Sequence, residues 1–305
     1  MKKTAAITLI LICLMALGVV CVRPVKAQYQ GDIVINSDGS VSPPTAPMQQ
    51  TGSTYTLTGD LDGSIVVNRN NVSLDGNEYS ISGGLSLNEI SNITVKNFVI
   101  RGGEVLLGAG LGISLNDIGI SLNGASNVIV TNNTISGFWS IQELNGLALF
   151  GVAVKGGGSN IITENTLVNN NIGLYFSDSQ NNLIIGNNII DNASQYGLSS
   201  CGIIFSYASN NTVYHNNFMD NITYGVQASD GTFYGFGSPN SINVWDDGYP
   251  NGGNYWIDYQ RGYPNAAEID SSGIGNTSYV IDSQNRDRYP LMDPFNTTPP
   301  KISVL

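Results

Sequence analysis

The chain has 305 residues, 11% of them charged, with a formal net charge of −11. So acidic a surface repels nucleic acid and anionic membranes, and suits solubility, cations or neutral glycans. The length allows one large domain with a sizeable core, or two small ones.

Residues 1–27 read as an export signal. Lys2 and Lys3 make a positive start, residues 4–22 are an uncharged apolar run, and Val25-Lys26-Ala27 offers a small-residue cleavage site before Gln28. The rival reading is an uncleaved anchor, because the apolar run is close to spanning length. Cleavage removes Lys2, Lys3, Arg23 and Lys26 and no acid, so −11 becomes −15. It also removes Cys13 and Cys21, which excludes an internal disulfide and leaves Cys201 as an expected buried packing residue. The expected location is secreted or cell-surface, with no membrane span after cleavage.

Residues 28–66 lack the repeat that follows. They carry a Pro-rich loop at 42–48 and a strand-like stretch at 54–57, and are expected to cap the N-terminal end.

From 67 to 240 one unit recurs: Gly and an apolar strand, a polar corner, then Asn and another apolar strand. It runs from Gly84-Leu-Ser-Leu to Asn92-Ile-Thr-Val, from Gly119-Ile-Ser-Leu to Asn127-Val-Ile-Val, and from Gly151-Val-Ala-Val to Asn160-Ile-Ile-Thr. Gly173-Leu-Tyr-Phe leads to Asn182-Leu-Ile-Ile, and Gly202-Ile-Ile-Phe to Asn211-Thr-Val-Tyr, so the Gly-to-Asn offsets are 8, 8, 9, 9 and 9. A further Asn-led strand follows each copy, at Asn97, Asn133, Asn165, Asn188 and Asn217. Three short strands per coil with alternating apolar residues predict an all-β fold, a right-handed parallel β-helix. Successive glycines lie 35, 32, 22, 29 and 23 residues apart, so a bare coil has about 22 and the excess is corner insertion near 101–117, 137–150 and 191–201. A leucine-rich repeat also places apolar residues before Asn, but no helix-period segment separates these strands. Asn suits the corners twice over: it tolerates the left-handed backbone of a sharp turn, and stacked copies pair their amides. Triplets of the form Asn-Xaa-Ser/Thr occur at Asn71, Asn92, Asn132, Asn192, Asn210, Asn221, Asn276 and Asn296; many are expected by accident in so Asn-rich a chain.

From 241 to 294 the Asn ladder is expected to stop, and aromatic and acidic residues take over. The structural reading is an aromatic lid closing the core. The functional one makes Trp245, Tyr249, Tyr255, Trp256 and Tyr259 a binding surface, and Asp246, Asp247, Asp258 and Asp270 a structural calcium site, since calcium takes oxygen ligands.

The run Asn243-Val-Trp-Asp-Asp-Gly-Tyr-Pro-Asn-Gly-Gly-Asn-Tyr-Trp-Ile-Asp-Tyr259, with Gly273-Ile-Gly-Asn-Thr-Ser-Tyr279 and Asp287-Arg-Tyr-Pro-Leu-Met292, resembles the NosD-like group of parallel β-helix proteins. This group is also described as a carbohydrate-binding and sugar-hydrolase β-helix domain. The segment Gly39-Ser-Val-Ser-Pro-Pro-Thr-Ala-Pro47 is similar to the start of archaeal-type surface members. Such members continue past Pro-Pro into another domain, so 295–305 looks like the opening of one cut short. The group's copper link does not carry over, because Cys201, His215, Met48, Met219 and Met292 form no soft-ligand cluster in sequence.

Uronate-lyase chemistry needs cations, yet residues 156–260 contain no Lys or Arg. A hydrolase needs two facing carboxylates; Asp178 and Asp230 follow similar strands and are the weak candidates. The expected function is a non-catalytic surface module binding extracellular glycans or other surface proteins, with no cofactor required. The alternative is a polysaccharide-degrading glycoside hydrolase.

Overall fold

Apolar residues at every second position of short strands have to face a common interior, and the computed structural model shows how three such faces close on each other. It describes residues 28–102, 104–105, 118–140, 149–192, 201–221, 228–229 and 241–296. The strands stack in three long sheets, called I, II and III here, of nine, nine and eight strands. Each coil contributes one strand to II, then III, then I, as in Phe150–Lys155, Ile161–Thr163 and Thr166–Val168. Consecutive coils pair in parallel and in register, for example Val152↔Leu174, Ile162↔Ile184 and Leu167↔Ile189. This is the predicted parallel β-helix, and its inward columns are aliphatic from Ile81, Ile100 and Ile135 to Leu167 and Ile189, all fully buried.

Register separates two kinds of corner residue that the sequence merges. Asn92, Asn127, Ser159, Asn181 and Asn210 occupy one column with φ between 55° and 60°. The residue after each, namely Ile93, Val128, Asn160, Asn182 and Asn211, faces inward and is buried. The change of Gly-to-Asn offset from 8 to 9 is therefore no insertion. The left-handed position stays at 8 throughout, and Asn enters the adjoining inward position from Asn160 onward. The other two corners repeat the arrangement: Asn132 or Glu164 precedes the inward Asn133 or Asn165, and Asn169 or Asp191 precedes Asn170 or Asn192.

The inward asparagines form three ladders, one at each corner. Nδ2 of each donates to Oδ1 of the next: Asn160 to Asn182 to Asn211 to Asn243 at 2.8–3.0 Å. Asn133, Asn165, Asn187, Asn216 and Asn254 make a second at 2.9–3.0 Å, and Asn170, Asn192 and Asn221 a third at 2.9 Å. The same Oδ1 also accepts the preceding coil's backbone N–H, as Asn187 does from Asn165 at 3.0 Å. The second N–H of Nδ2 reaches back to a carbonyl, as from Asn187 to Ile162 O at 2.8 Å. A buried primary amide is thereby fully satisfied, which its burial demands.

Two expectations change. The ladder does not stop at 241: Asn243, Asn254 and Asn285 carry it into the tail, because the tail backbone still passes the same two corners. Residues 28–66 are not only a cap, since Tyr29–Gln30, Ile33–Ile35 and Thr54–Leu57 already pair in parallel with sheets I, II and III. Only Val41–Ser42 and Met48–Thr51 turn antiparallel and close that end. His215 lies at a left-handed corner, with φ 57°. The expected insertions fall largely outside the described residues, as do 1–27 and 297–305.

A ladder position and a left-handed position should respond differently to truncation. Asn187→Ala strips partners from Asn165 N, Asn165 Nδ2 and Ile162 O, each worth about 1–3 kcal/mol when left buried and unpaired. Asn181→Ala keeps its Cβ at φ 58° and loses only the short amide that eases the left-handed backbone, at a cost of about 1 kcal/mol or less. Urea unfolding of the two variants should show the first to be clearly the more damaged; equal losses would contradict the ladder account.

Candidate functional site

After the sheet II strands from Leu85–Asn88 to Cys201–Ser206 the backbone turns left-handed at Glu89, Gly124, Gly156, Asp178 and Tyr207, with φ between 51° and 66°. Three residues later comes the column of Asn92, Asn127, Ser159, Asn181 and Asn210. These two columns bracket the corner between sheets II and III. Between them Gly157 and Gly158 contribute no side chains, and neither position tolerates one. A Cβ on Gly157, where φ is 64°, would lie 2.1 Å from Ala125 O, and one on Gly158 would lie 2.3 Å from Gln180 O. The close stacking leaves an open groove of about 410 Å³, lined by Ser126, Asn127, Ser159, Asp178, Gln180 and Asn181 around the two glycines.

The lining is amides, hydroxyls and one carboxylate, with no Lys, Arg or His. Asp178 is exposed and accepts a hydrogen bond from Ser177 Oγ at 2.8 Å. Tyr207 follows Asp178 in the same column and is 51% exposed, which puts an aromatic ring one coil beyond the groove. Asp230, the other expected carboxylate, lies outside the described residues. Sequence reasoning found Asp178 and missed Gln180, Asn127 and Asn181. The legible signal was Gly156-Gly157-Gly158, a run of three glycines where the flanking coils read Gly124-Ala-Ser and Asp178-Ser-Gln.

The expected tail site is distributed differently. Trp245, Trp256 and Tyr259 are buried to 2% exposure or less and offer no face to a ligand. Trp256 stacks between Phe218 at 4.5 Å and Tyr279 at 4.2 Å, and Trp245 meets Phe205 edge-on at 5.7 Å. Tyr255 is half-buried, and only Tyr249 lies open, at 45% exposure. These rings plug the end of the core.

Nor do the four aspartates converge. Asp246 is buried and clasped by Arg288, whose Nε and Nη2 donate at 2.9 and 2.7 Å. Burial alone would raise its carboxyl, but those bonds, with the N–H groups of Arg288 and Gly248, hold it below the usual range. Asp247 accepts from Asn251 Nδ2 at 2.9 Å, and Asp258 faces Tyr279 OH at 3.4 Å. Asp270 lies exposed in a turn with φ 47°. Among the described residues, no three His, Cys, Asp or Glu side chains are grouped to hold a metal. Cys201 is buried as expected, its thiol pushed up to about 12 by burial.

The tail also holds an acid that sequence reasoning passed over. Asp287 is fully buried, with Oδ2 accepting Asn254 N at 2.7 Å and Trp256 Nε1 at 2.9 Å, and Oδ1 accepting Tyr289 N at 3.0 Å. Gly253 makes room for it, since a Cβ there would lie 1.9 Å from Oδ1.

A family model for the right-handed β-helix region matches residues 51–199 and 83–244. No curated protein and no solved structure matches the chain. Among the described residues no helix is long and apolar enough to cross a membrane.

Burial pushes Asp287 up to about 7 from an ordinary 3.8, outweighing its donors. The folded chain therefore holds a proton that the unfolded chain releases, and the stability this group contributes declines as pH rises from about 4 to about 7, then levels. Asp246, held low, works the other way, its contribution present above the ordinary carboxylate value and lost as pH falls through the lowered one. Unfolding free energies of wild type and Asp287→Asn across pH 4–8 should differ by a term confined to that upper window. Parallel curves would show that Asp287 stays ionised when folded.

Proposed function

The chain belongs to the right-handed β-helix family, and from that premise we propose that it is a non-catalytic, extracytoplasmic module that binds neutral glycans along the corner between sheets II and III. The observation that carries the reading is the glycine-floored groove, with Asp178, Gln180, Asn127 and Asn181 around it. Sugar hydroxyls both donate and accept, and amide side chains match them in both directions, while a carboxylate accepts two at once. The absence of cations from the lining disfavours acidic sugars. Exposed Tyr207 beyond the groove supplies the apolar face that sugar rings stack on.

Hydrolysis is the weaker reading on geometric grounds. Two carboxyl groups must flank the bond at about 5–9.5 Å. The groove lining contains one, Asp178. Within the family, the tail motif and the signal-like 1–27 support assignment to the NosD-like surface group, and thus a secreted or cell-surface location. Protein partners on that surface remain compatible with the open flanks of the groove.

Affinity electrophoresis and calorimetry against a panel of neutral and acidic polysaccharides test this. Binding should be confined to neutral members, and Asp178→Ala should weaken it by about tenfold, the loss of one hydrogen bond to a charged group. Reducing ends should not appear. Acidic-glycan preference, or wild-type affinity in both Asp178→Ala and Gln180→Ala, would remove the groove from consideration.

A further inference from the structure

Of the eight Asn-Xaa-Ser/Thr triplets, the fold divides six that lie in its coils into two kinds. Asn71, Asn92, Asn132 and Asn210 are exposed, each at a left-handed corner with φ of 52–60° and with its side chain outside the helix. Asn192 and Asn221 are fully buried members of the third ladder. Asn276 and Asn296 lie in the tail, away from the corner columns.

The hydrogen bonds sharpen the division. Asn92 Nδ2 donates to Asn71 Oδ1 at 2.9 Å, and Asn132 Nδ2 to Asn97 Oδ1 at 2.8 Å. Each such bond uses one N–H of the amide and leaves the other for substitution. Asn192 Nδ2 donates twice, to Leu167 O and to Asn221 Oδ1, both at 2.9 Å. Replacing either hydrogen there would break the ladder and force a sugar into the core.

We propose that Asn71, Asn92, Asn132 and Asn210 are N-glycosylation sites, and that Asn192 and Asn221 are not, although all six carry the triplet. The co-reactant is a lipid-pyrophosphate-linked saccharide, presented by an oligosaccharyl transferase on the extracytoplasmic side. Nδ2 attacks the anomeric carbon, the new C–N bond replaces the C–O bond to pyrophosphate, Nδ2 loses a proton, and the lipid pyrophosphate departs with the bonding pair. This rests on the export reading and is independent of the glycan-binding one.

Placement gives the modification a consequence. Asn71, Asn92 and Asn210 share one column with Asn127, Ser159 and Asn181, which rim the groove and carry no triplet. Attached chains would flank the groove on both sides along the helix axis and leave the groove itself uncovered.

Peptide mass spectrometry of the chain recovered from outside its own cells, after enzymatic glycan release in heavy-oxygen water, tests the assignment. Label is expected at the four corner asparagines and at neither Asn192 nor Asn221. Thr94→Ala, which leaves Asn92 in place, should abolish label at Asn92 alone without lowering the melting midpoint by more than a few degrees. An exported chain without label at the corners, or with label at Asn192 or Asn221, overturns the proposal. If the chain stays inside the cell, the export reading fails. Purified transferase and lipid-linked donor then decide the sites: the folded full chain should accept at the four corners, and at Asn192 and Asn221 only after denaturation.

Discussion

The structure depends on one interaction repeated along all three corners from Asn133 and Asn160 onward: the amide of an inward Asn handing a hydrogen bond to the amide of the next coil. Every such bond runs the same way, Nδ2 toward the C-terminal coil and Oδ1 toward the N-terminal one. Backbone N–H groups follow the same direction, because each Oδ1 takes one from the coil before it. A stack of aligned amide dipoles results, with unsatisfied acceptors at its start and unsatisfied donors at its end, the situation familiar at the termini of an α-helix.

The donor ends explain two residues of the tail. In the second ladder Asn254 hands its N–H to Asp287, and in the first Asn285 gives its N–H and Nδ2 to Asp282 at 2.7 and 2.8 Å. Asn could not stop either stack, since it would bring two more donors with no coil beyond to receive them. A carboxyl accepts what arrives and, bringing no amide donors of its own, needs fewer partners in return. At the start, the inward position belongs to Phe98 in one column and to Val128 in another, with the amides beginning one coil later. Phe98 N donates to Asn133 Oδ1 at 3.0 Å, so the first acceptor is satisfied by backbone.

The same logic sets how much was readable in the sequence. The period, the three faces and the corners followed from Gly, Asn and apolar alternation, because a solenoid writes each coil in the same order. What periodicity could not show was that adjacent positions at a corner do opposite jobs, since Asn serves both the left-handed turn and the inward ladder; Asn181 and Asn182 differ only in register. Nor could it show that the ladders cross Ser241, because irregular spacing in the tail hides Asn254 and Asn285, whose partners are 38 and 42 residues away. The aromatic and acidic residues there looked like a surface for the same reason. Trp245 and Trp256 are instead where an aliphatic core ends and needs broad rings to seal it, and Asp246 is spoken for by Arg288.

The fold leaves the corners as the positions where side chains vary most freely. An inward Asn cannot change without leaving partners unpaired in two neighbouring coils, and an inward Ile or Leu cannot change without a cavity. The left-handed positions carry neither burden: their side chains point outward, and the backbone asks only for Gly, Asn, Asp or a residue whose strain the stack can bear. Glu89, Asp178, Tyr207 and His215 all occupy such positions. A column of them is a strip of side chains at one-coil spacing, about 4.8 Å, that can vary without touching the fold. The groove beside Asp178 arises where the corner between two strips drops to glycine at 157 and 158. On the binding reading proposed above, specificity rests on the αL columns, where a substitution costs far less stability than one in an inward ladder.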